Sequence, residues 1–292
     1  MENTCQQQEV QTRTIEYNSV QPRTLVYNSQ NIDKIDDSYY NVEKRVMMLK
    51  AWSFSRMSLY ESCPKRAKLQ YIDKIEELPR ELQPGQTEFA NDRGSRIHEA
   101  AELYVKGEID EFIPELTYYK EELEFLRLLK SQEPDRVVPE EMWCFDDTWG
   151  EVATDDFDNI WLRVISDLFV WLDDKTVCIV DLKTGKRYGN ELKHGQQLTL
   201  YALATAMKFP QVETIYTELW YLDLNEINQR KFTAQQARQF LRNWNDRALT
   251  LTSDDEFLAK PSRSSCMFCP YKQPVHDNKW VKGTGDCNES VN

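Results

Sequence analysis

From Trp161 to Leu172 the chain is apolar except at Arg163, Ser166 and Asp167. It turns polar at Asp173, Asp174 and Lys175, and is apolar again from Val177 to Val180 before Asp181, Leu182 and Lys183. Apolar, β-branched runs divided by a short polar turn predict an antiparallel hairpin, with strands at about 151–171 and 176–183. Elsewhere the spacing of apolar residues is helical. It predicts helices from Ser53 to about Ile75, then at about 89–106, 114–131, 192–209 and 233–251, with further strands at about 136–145 and 213–222. Helices interleaved with strands in this order predict an α/β chain, a mixed central sheet flanked by helices. A tail to Asn292 carries several of the cysteines.

The first fifty residues are different. Arg13-Thr14-Ile15-Glu16-Tyr17-Asn18-Ser19 recurs as Arg23-Thr24-Leu25-Val26-Tyr27-Asn28-Ser29, a polar repeat with Asn-Ser turn signals. Residues 1–50 therefore read as an arm, either flexible or a pair of added strands, and residues 51–292 as the main domain. The 292 residues and 40% hydrophobic content are enough for a substantial core. No apolar stretch is long enough to span a membrane. The formal net charge is −13, with acid concentrated at 76–88, 108–124 and 146–158. Basic residues gather at Lys65, Arg66 and Lys68, at Lys183, Lys186, Arg187 and Lys193, and at Lys260 and Arg263. This distribution predicts a narrow basic channel on an acidic body.

The candidate chemistry starts at Asp181 and Lys183. Two residues apart on a strand, they share a face at its end. The tripeptide Asp/Glu-x-Lys also occurs at Asp173, Glu191 and Asp277, but only at Asp181 does it follow a β-branched apolar run. Buried charges need partners, and a divalent cation and a phosphate would serve. The preceding strand offers Asp167. A three-residue loop at 173–175 would place it across from Asp181 on the same face, whereas a straight two-residue loop would turn it away, so pairing needs the longer loop or a bulge. Two such carboxylates repel unless a cation lies between them, and Mg2+ or Mn2+ suits oxygen donors. His98 lies beside the apolar stripe Ile97, Ala100, Ala101 and Tyr104 of a helix stopped by Gly107. It is either a packed core residue or a ligand. Gln197 and Tyr201, four apart, share one face of the 192–209 helix. Glu140 or Glu141 would add acid to the second shell.

Of seven cysteines, Cys178 and Cys144 read as small core residues. With no secretory leader there is no reason to expect a disulfide framework. Cys266-x2-Cys269 is a chelating pair suited to zinc or an iron–sulfur cluster, with Cys287 as third ligand and Cys63 as a distant fourth. Free thiols are the alternative.

These elements together resemble the RecB-like branch of the PD-(D/E)XK nuclease superfamily, including the iron–sulfur CRISPR-associated exonucleases and AddB-type nuclease domains. The resemblance runs from about Ser53 to Cys287. Ser53 to Arg66 is similar to the family's opening helix with its Cys-Pro. Gly94-x3-His98 is similar to its histidine motif, and Ile165-Ser166-Asp167 to its first carboxylate, with Ser166 where Gly is frequent. Asp181-Leu182-Lys183 is similar to the central motif, and Gln197-x3-Tyr201 to the helix that follows. The resemblance implies a restriction-endonuclease-like core whose Asp167, Asp181 and His98, with the Leu182 carbonyl, hold Mg2+ or Mn2+. Lys183 would position and polarise water, with Gln197 and Tyr201 in support. It implies a [4Fe-4S] cluster on Cys63, Cys266, Cys269 and Cys287, clipping the 262–288 tail to the opening helix. The gap between Cys269 and Cys287 is longer than the family's usual spacing, which keeps zinc open, with His276 or Cys287 as ligand.

The implied activity is a metal-dependent DNA nuclease, an exonuclease on single strands or ends, in recombination, repair or replication. The implied setting is the cytoplasm of a bacterium or a phage-infected host. Implied partners are DNA and recombination or replication proteins, and oligomerisation stays open. The alternatives are a non-catalytic nucleic-acid-binding or scaffold protein that kept the fold, and a zinc-stapled interaction module.

Overall fold

The computed structural model describes residues 48–185 and 187–292; the repeat-bearing arm up to residue 47, and Lys186, lie outside the described residues. The core is a six-stranded sheet in the order β2-β1-β3-β4-β5-β6. Its strands are β1 (Val137–Phe145), β2 (Glu151–Val152), β3 (Leu162–Asp173), β4 (Thr176–Lys183), β5 (Thr214–Tyr221) and β6 (Glu226–Thr233). All neighbours are antiparallel except β4 and β5, which are parallel and joined through helix α5 (Glu191–Lys208). The sheet is therefore mixed, and helices cover both faces. Alternation along β4 explains this. Val177 and Ile179 join the core that holds α5, while Cys178, Val180 and Leu182 join the core under α3 (Ala90–Lys106) and α4 (Lys120–Gln132). A strand buried on both faces reads as continuous apolar sequence. No helix among the described residues is long and apolar enough to cross a membrane.

The structure departs from the expected elements where local chemistry interrupts the pattern. The helix expected from Ser53 to Ile75 is two, α1 (Phe54–Ser62) and α2 (Pro64–Tyr71). Cys63 between them is extended, as the residue before proline prefers. The helix expected from 114 begins as a 3-10 turn, Pro114–Tyr119, before α4. The acidic stretch between β2 and β3 forms turns. The helix expected at 233–251 is divided into α6 (Ala234–Arg238) and α7 (Leu241–Thr252), and it is preceded by β6, which the apolar pattern missed. As an edge strand β6 exposes Gln229, Arg230 and Lys231, so it lacks an apolar run.

The tail returns to the start of the domain. Through Cys269, Tyr271 and Cys287 it packs on Leu69 and Ile75, and the Tyr271 hydroxyl donates to the Ile75 carbonyl (3.3 Å). The short helix α8 (Arg263–Met267) is capped by Ser262, whose side chain accepts from Ser265 N (3.1 Å).

Candidate active site

The hairpin turn between β3 and β4 spans two residues, not three, and a bulge between Trp171 and Asp173 absorbs the difference. Beyond the bulge the register runs Val170↔Cys178, Phe169↔Ile179, Leu168↔Val180. One more step would align Asp167 with Asp181, but the ladder stops there. The bulge thus supplies the register that the expected pairing needs, while the Asp167 carboxylate reaches toward α3 and that of Asp181 toward α5. Its carboxylate fits where the two strands part: Oδ2 accepts from Leu182 N (2.6 Å), and Oδ1 lies 2.8 Å from His98 Nδ1 on α3. In the partner strand β1, Glu140 has a positive φ of 49°, a local kink opposite Asp167 that interrupts the pairing for one step before it resumes at Glu141↔Ser166.

Asp181 turns toward α5 and is only 5% exposed. Its Oδ1 accepts from Gln197 Nε2 (2.9 Å) and from the Tyr201 hydroxyl (2.7 Å). Lys183 Nζ lies 2.5 Å from Asp181 Oδ2 and donates to Gln197 Oε1 (2.9 Å). The one-turn spacing of Gln197 and Tyr201 lets both reach the same carboxylate, and Gln197 also donates to the Tyr201 oxygen (2.8 Å). The contact of Oδ2 with Lys183 is an ion pair without hydrogen-bond alignment, so this buried oxygen has no hydrogen bond.

Burial raises the Asp181 pKa, the charge of Lys183 opposes this, and the charge of Asp167 adds to it, so the two carboxylates sense each other. For His98, burial works against the imidazolium, but the hydrogen bond and charge of Asp167 outweigh it and the pKa is raised. Burial pushes the Tyr201 phenol well above its ordinary range, so it acts as a donor.

An acidic cavity lies on the His98 side, lined by Gly94, Ser95, His98, Glu99, Glu102, Glu140 and Asp167. Glu140 is pushed up by its hydrogen bond to Glu102, and the same bond lowers Glu102. Glu140 thus belongs to the site. Glu141 does not line this cavity; burial raises its pKa, and its charged neighbours are Lys208 and Glu151. Sequence reasoning missed Glu102, although its place four residues after His98 on one helical face was the available signal.

A second cavity, of about 410 Å³, opens on the α5 side and is lined by Arg163, Lys183, Lys193, His194 and Gln197 among others. Of the expected basic channel, Lys183 and Lys193 meet here. Arg187 is instead committed to Glu226, and Lys68 to Asp73. Arg163 had no sequence signal, since only tertiary structure brings it to the site.

The donor set of imidazole and carboxylate oxygens suits a hard divalent ion. Among the described residues no group of three or more His, Cys, Asp or Glu closes into a ligand shell. The reason is visible: Asp167 is shared between His98 and Leu182 N, and Asp181 between Gln197, Tyr201 and Lys183. The unbonded Asp181 Oδ2 is the atom that such an ion would satisfy.

Residues 51–273 match the family model of the PD-(D/E)XK nuclease superfamily. The chain belongs to that superfamily. PD-(D/E)XK nucleases generally use Mg2+ or Mn2+, and nuclease chemistry makes DNA the implied substrate. No curated protein matches the sequence. Among solved structures the chain is similar to SSO0001, with 11% identity, a TM-score of 0.34, and coverage of 79% of this chain and 86% of that one. It is also similar to a protein described as a "putative exonuclease" from Eubacterium rectale, with 12% identity, a TM-score of 0.37, and coverage of 76% and 87%.

Away from this cluster, Cys63, Cys266, Cys269 and Cys287 line one small cavity with Arg66, Leu69 and Pro261. His276 does not line it. Burial pushes the Cys287 thiol up to about 11 and also raises Cys269. Lys260 N approaches Cys63 Sγ at 3.5 Å. Cys144 is a buried thiol away from this group, and Cys178 is buried in β4.

Proposed function

We propose that the chain is a metal-dependent deoxyribonuclease that hydrolyses phosphodiester bonds in single strands or at DNA ends. The observation that carries this reading is the buried Asp181, gripped on one oxygen by α5 and left without a hydrogen bond on the other, beside Asp167 and Lys183. Asp167, Asp181 and His98, with the Leu182 carbonyl, would hold Mg2+ or Mn2+. That ion, when bound, supplies an acidified water and countercharge to the phosphate. Gln197 and Tyr201 fix the rotamer of Asp181 by holding Oδ1, which turns Oδ2 toward Lys183. Lys183, anchored by Gln197, presents an ammonium that orients the attacking water and offsets charge on the phosphate oxygens. Glu102 and Glu140 lie together on the His98 side, where their hydrogen bond raises the pKa of Glu140 and lowers that of Glu102.

The four gathered cysteines support a structural metal in the tail, a [4Fe-4S] cluster or zinc. Iron, sulfide and zinc content of anaerobically purified protein distinguishes the two. A role in recombination, repair or replication rests on the family alone.

The test is cleavage of labelled single- and double-stranded DNA with Mn2+ or Mg2+. Asp181→Ala and Lys183→Ala should each lose about a hundredfold or more of the rate. Full activity in either variant defeats the proposed roles. A wild-type protein that binds but never cuts DNA would instead be a non-catalytic nucleic-acid-binding protein on this fold.

A further inference from the structure

The cavity on the α5 side is built differently from the acidic one. Three cations line it, and among the described residues only Lys183 has a carboxylate partner. Arg163 lies over the Phe157 ring, 5.6 Å from its centroid, without an ion pair. Lys193 is exposed at the rim, and surrounding protein together with the charge of Lys183 lowers its pKa. Among the described residues, no Asp or Glu lines the cavity.

Two helix starts also meet there. Lys193 and His194 sit in the first turn of α5, and Ser53, Phe54 and Ser55 are the N-cap and first residues of α1. The first amides of a helix have no backbone acceptor within it, and helix N-termini carry partial positive charge, although here Ser53 Oγ takes Arg56 N (3.4 Å) and Asn190 O takes His194 N (2.8 Å). The α1 start is held against the sheet: Trp52 N donates to Trp161 O (2.8 Å) and Arg163 N to Trp52 O (2.9 Å). Its amides are thus fixed beside Arg163. Cavity walls from Phe54, Val164, Ile165 and Leu200 leave apolar surface next to the charge. A guanidinium and an ammonium without ion pairs, with two helix N-termini, match a phosphate dianion better than the single charge of an internal diester.

We propose that this cavity is an end-recognition subsite that takes a phosphate monoester at the terminus of a nucleic-acid strand, seated between Arg163, Lys193 and the α1 N-terminus. The proposal deepens the nuclease reading and rests on it for the identity of the strand. It places the terminal phosphate next to Lys183, so that the strand is held by its end while the neighbouring linkage lies at Asp181. The half-open cavity has room for a nucleotide as well as its phosphate.

The test is equilibrium binding by the full chain in EDTA at low salt, where no cleavage occurs. The probes are one short oligonucleotide with an internal fluorophore and either a 5′-phosphate, a 3′-phosphate, or hydroxyls at both ends. One phosphorylated probe should bind about tenfold or more tightly than the hydroxyl probe. Which probe does so identifies the end that is read. Lys193→Gln and Arg163→Gln, each checked by thermal melting, should reduce this preference to about twofold or less, read as the ratio of phosphorylated to hydroxyl probe so that a general loss of affinity cancels. Equal affinity for all probes overturns the proposal, as does a preference that survives both substitutions. Cleavage in Mn2+ is measured separately. End preference without any cleavage would defeat the nuclease reading and leave the anion site standing, and cleavage with end-blind binding would defeat the subsite alone.

Discussion

At the scale of single residues, the site depends on one buried carboxylate and the groups that aim it. Tyr201→Phe removes one of two donors to Asp181 Oδ1 while Gln197 keeps the other. Urea denaturation should register a loss of about 1–2 kcal/mol, and cleavage should fall less than in Lys183→Ala. A variant as inactive as Lys183→Ala would mean the hydroxyl does more than position. His194 reports on the cavity's positive field. Burial, with Lys183 and Lys193, lowers its pKa from 6.5 to about 4. Between those values the unfolded chain binds a proton that the folded chain refuses, so stability is full above about pH 6.5 and falls as pH drops toward 4. Urea midpoints across that range should decline less steeply for His194→Gln than for wild type; an unchanged slope would show that His194 is not the group responsible. Much at this scale was legible. Asp181 and Lys183 ended the most apolar run, and Gln197 and Tyr201 had helical spacing. Arg163 was not legible, because a lone arginine in a strand carries no mark of the cavity it will line.

At the scale of elements, the informative feature is the β3–β4 hairpin. The expected pairing depended on loop length, and the chain uses a two-residue turn with a bulge before it. Sequence gives the polar turn but not the bulge, since the extra residue in a ladder leaves no compositional trace. Nor did it show the gap in pairing beside Asp167, because the kink at Glu140 lies in another strand. The bulge suggests a direct test. One alanine inserted between Phe169 and Val170 slips everything before it by one place and should abolish cleavage, because Asp167 then no longer reaches Leu182 N. The same insertion in the turn, between Asp174 and Lys175, leaves the pairing intact and should retain activity. Cleavage that survives the strand insertion would show that Asp167 is dispensable. Strand β6 escaped the apolar pattern for a related reason: with one face wet and one edge open, its residues need not alternate cleanly.

At the scale of the whole molecule, Cys63 follows the first helix and three further cysteines come from the tail, yet all four line one cavity. Sequence indicated the grouping through Cys266-x2-Cys269 and Cys63-Pro64, but the fold was needed to show how the tail is seated. Gly283 is part of that seating. A Cβ there would lie 2.0 Å from the Lys272 carbonyl oxygen, which accepts from Gly285 N (3.0 Å). Gly283→Ala should therefore lift the tail, lower the melting temperature and reduce the metal retained by the purified protein. Unchanged melting and metal content would show that the tail adapts without cost. The overall charge of −13 shows how a total can mislead: acid gathers on the His98 side, and Arg163 and Lys193, cations without ion pairs among the described residues, line the opposite one.

The two borders of the sheet carry a last consequence. Among the described residues, one is the two-residue β2 beside a β1 rim broken by Pro139 and the kink at Glu140, and the other is β6, with Glu226, Arg230 and Lys231 along it. A stub and a charged rim both discourage a stranger's backbone from docking alongside. Copies of this protein that associate would therefore meet through their helical flanks, and crowded or concentrated samples should resist growth into ribbon-like aggregates.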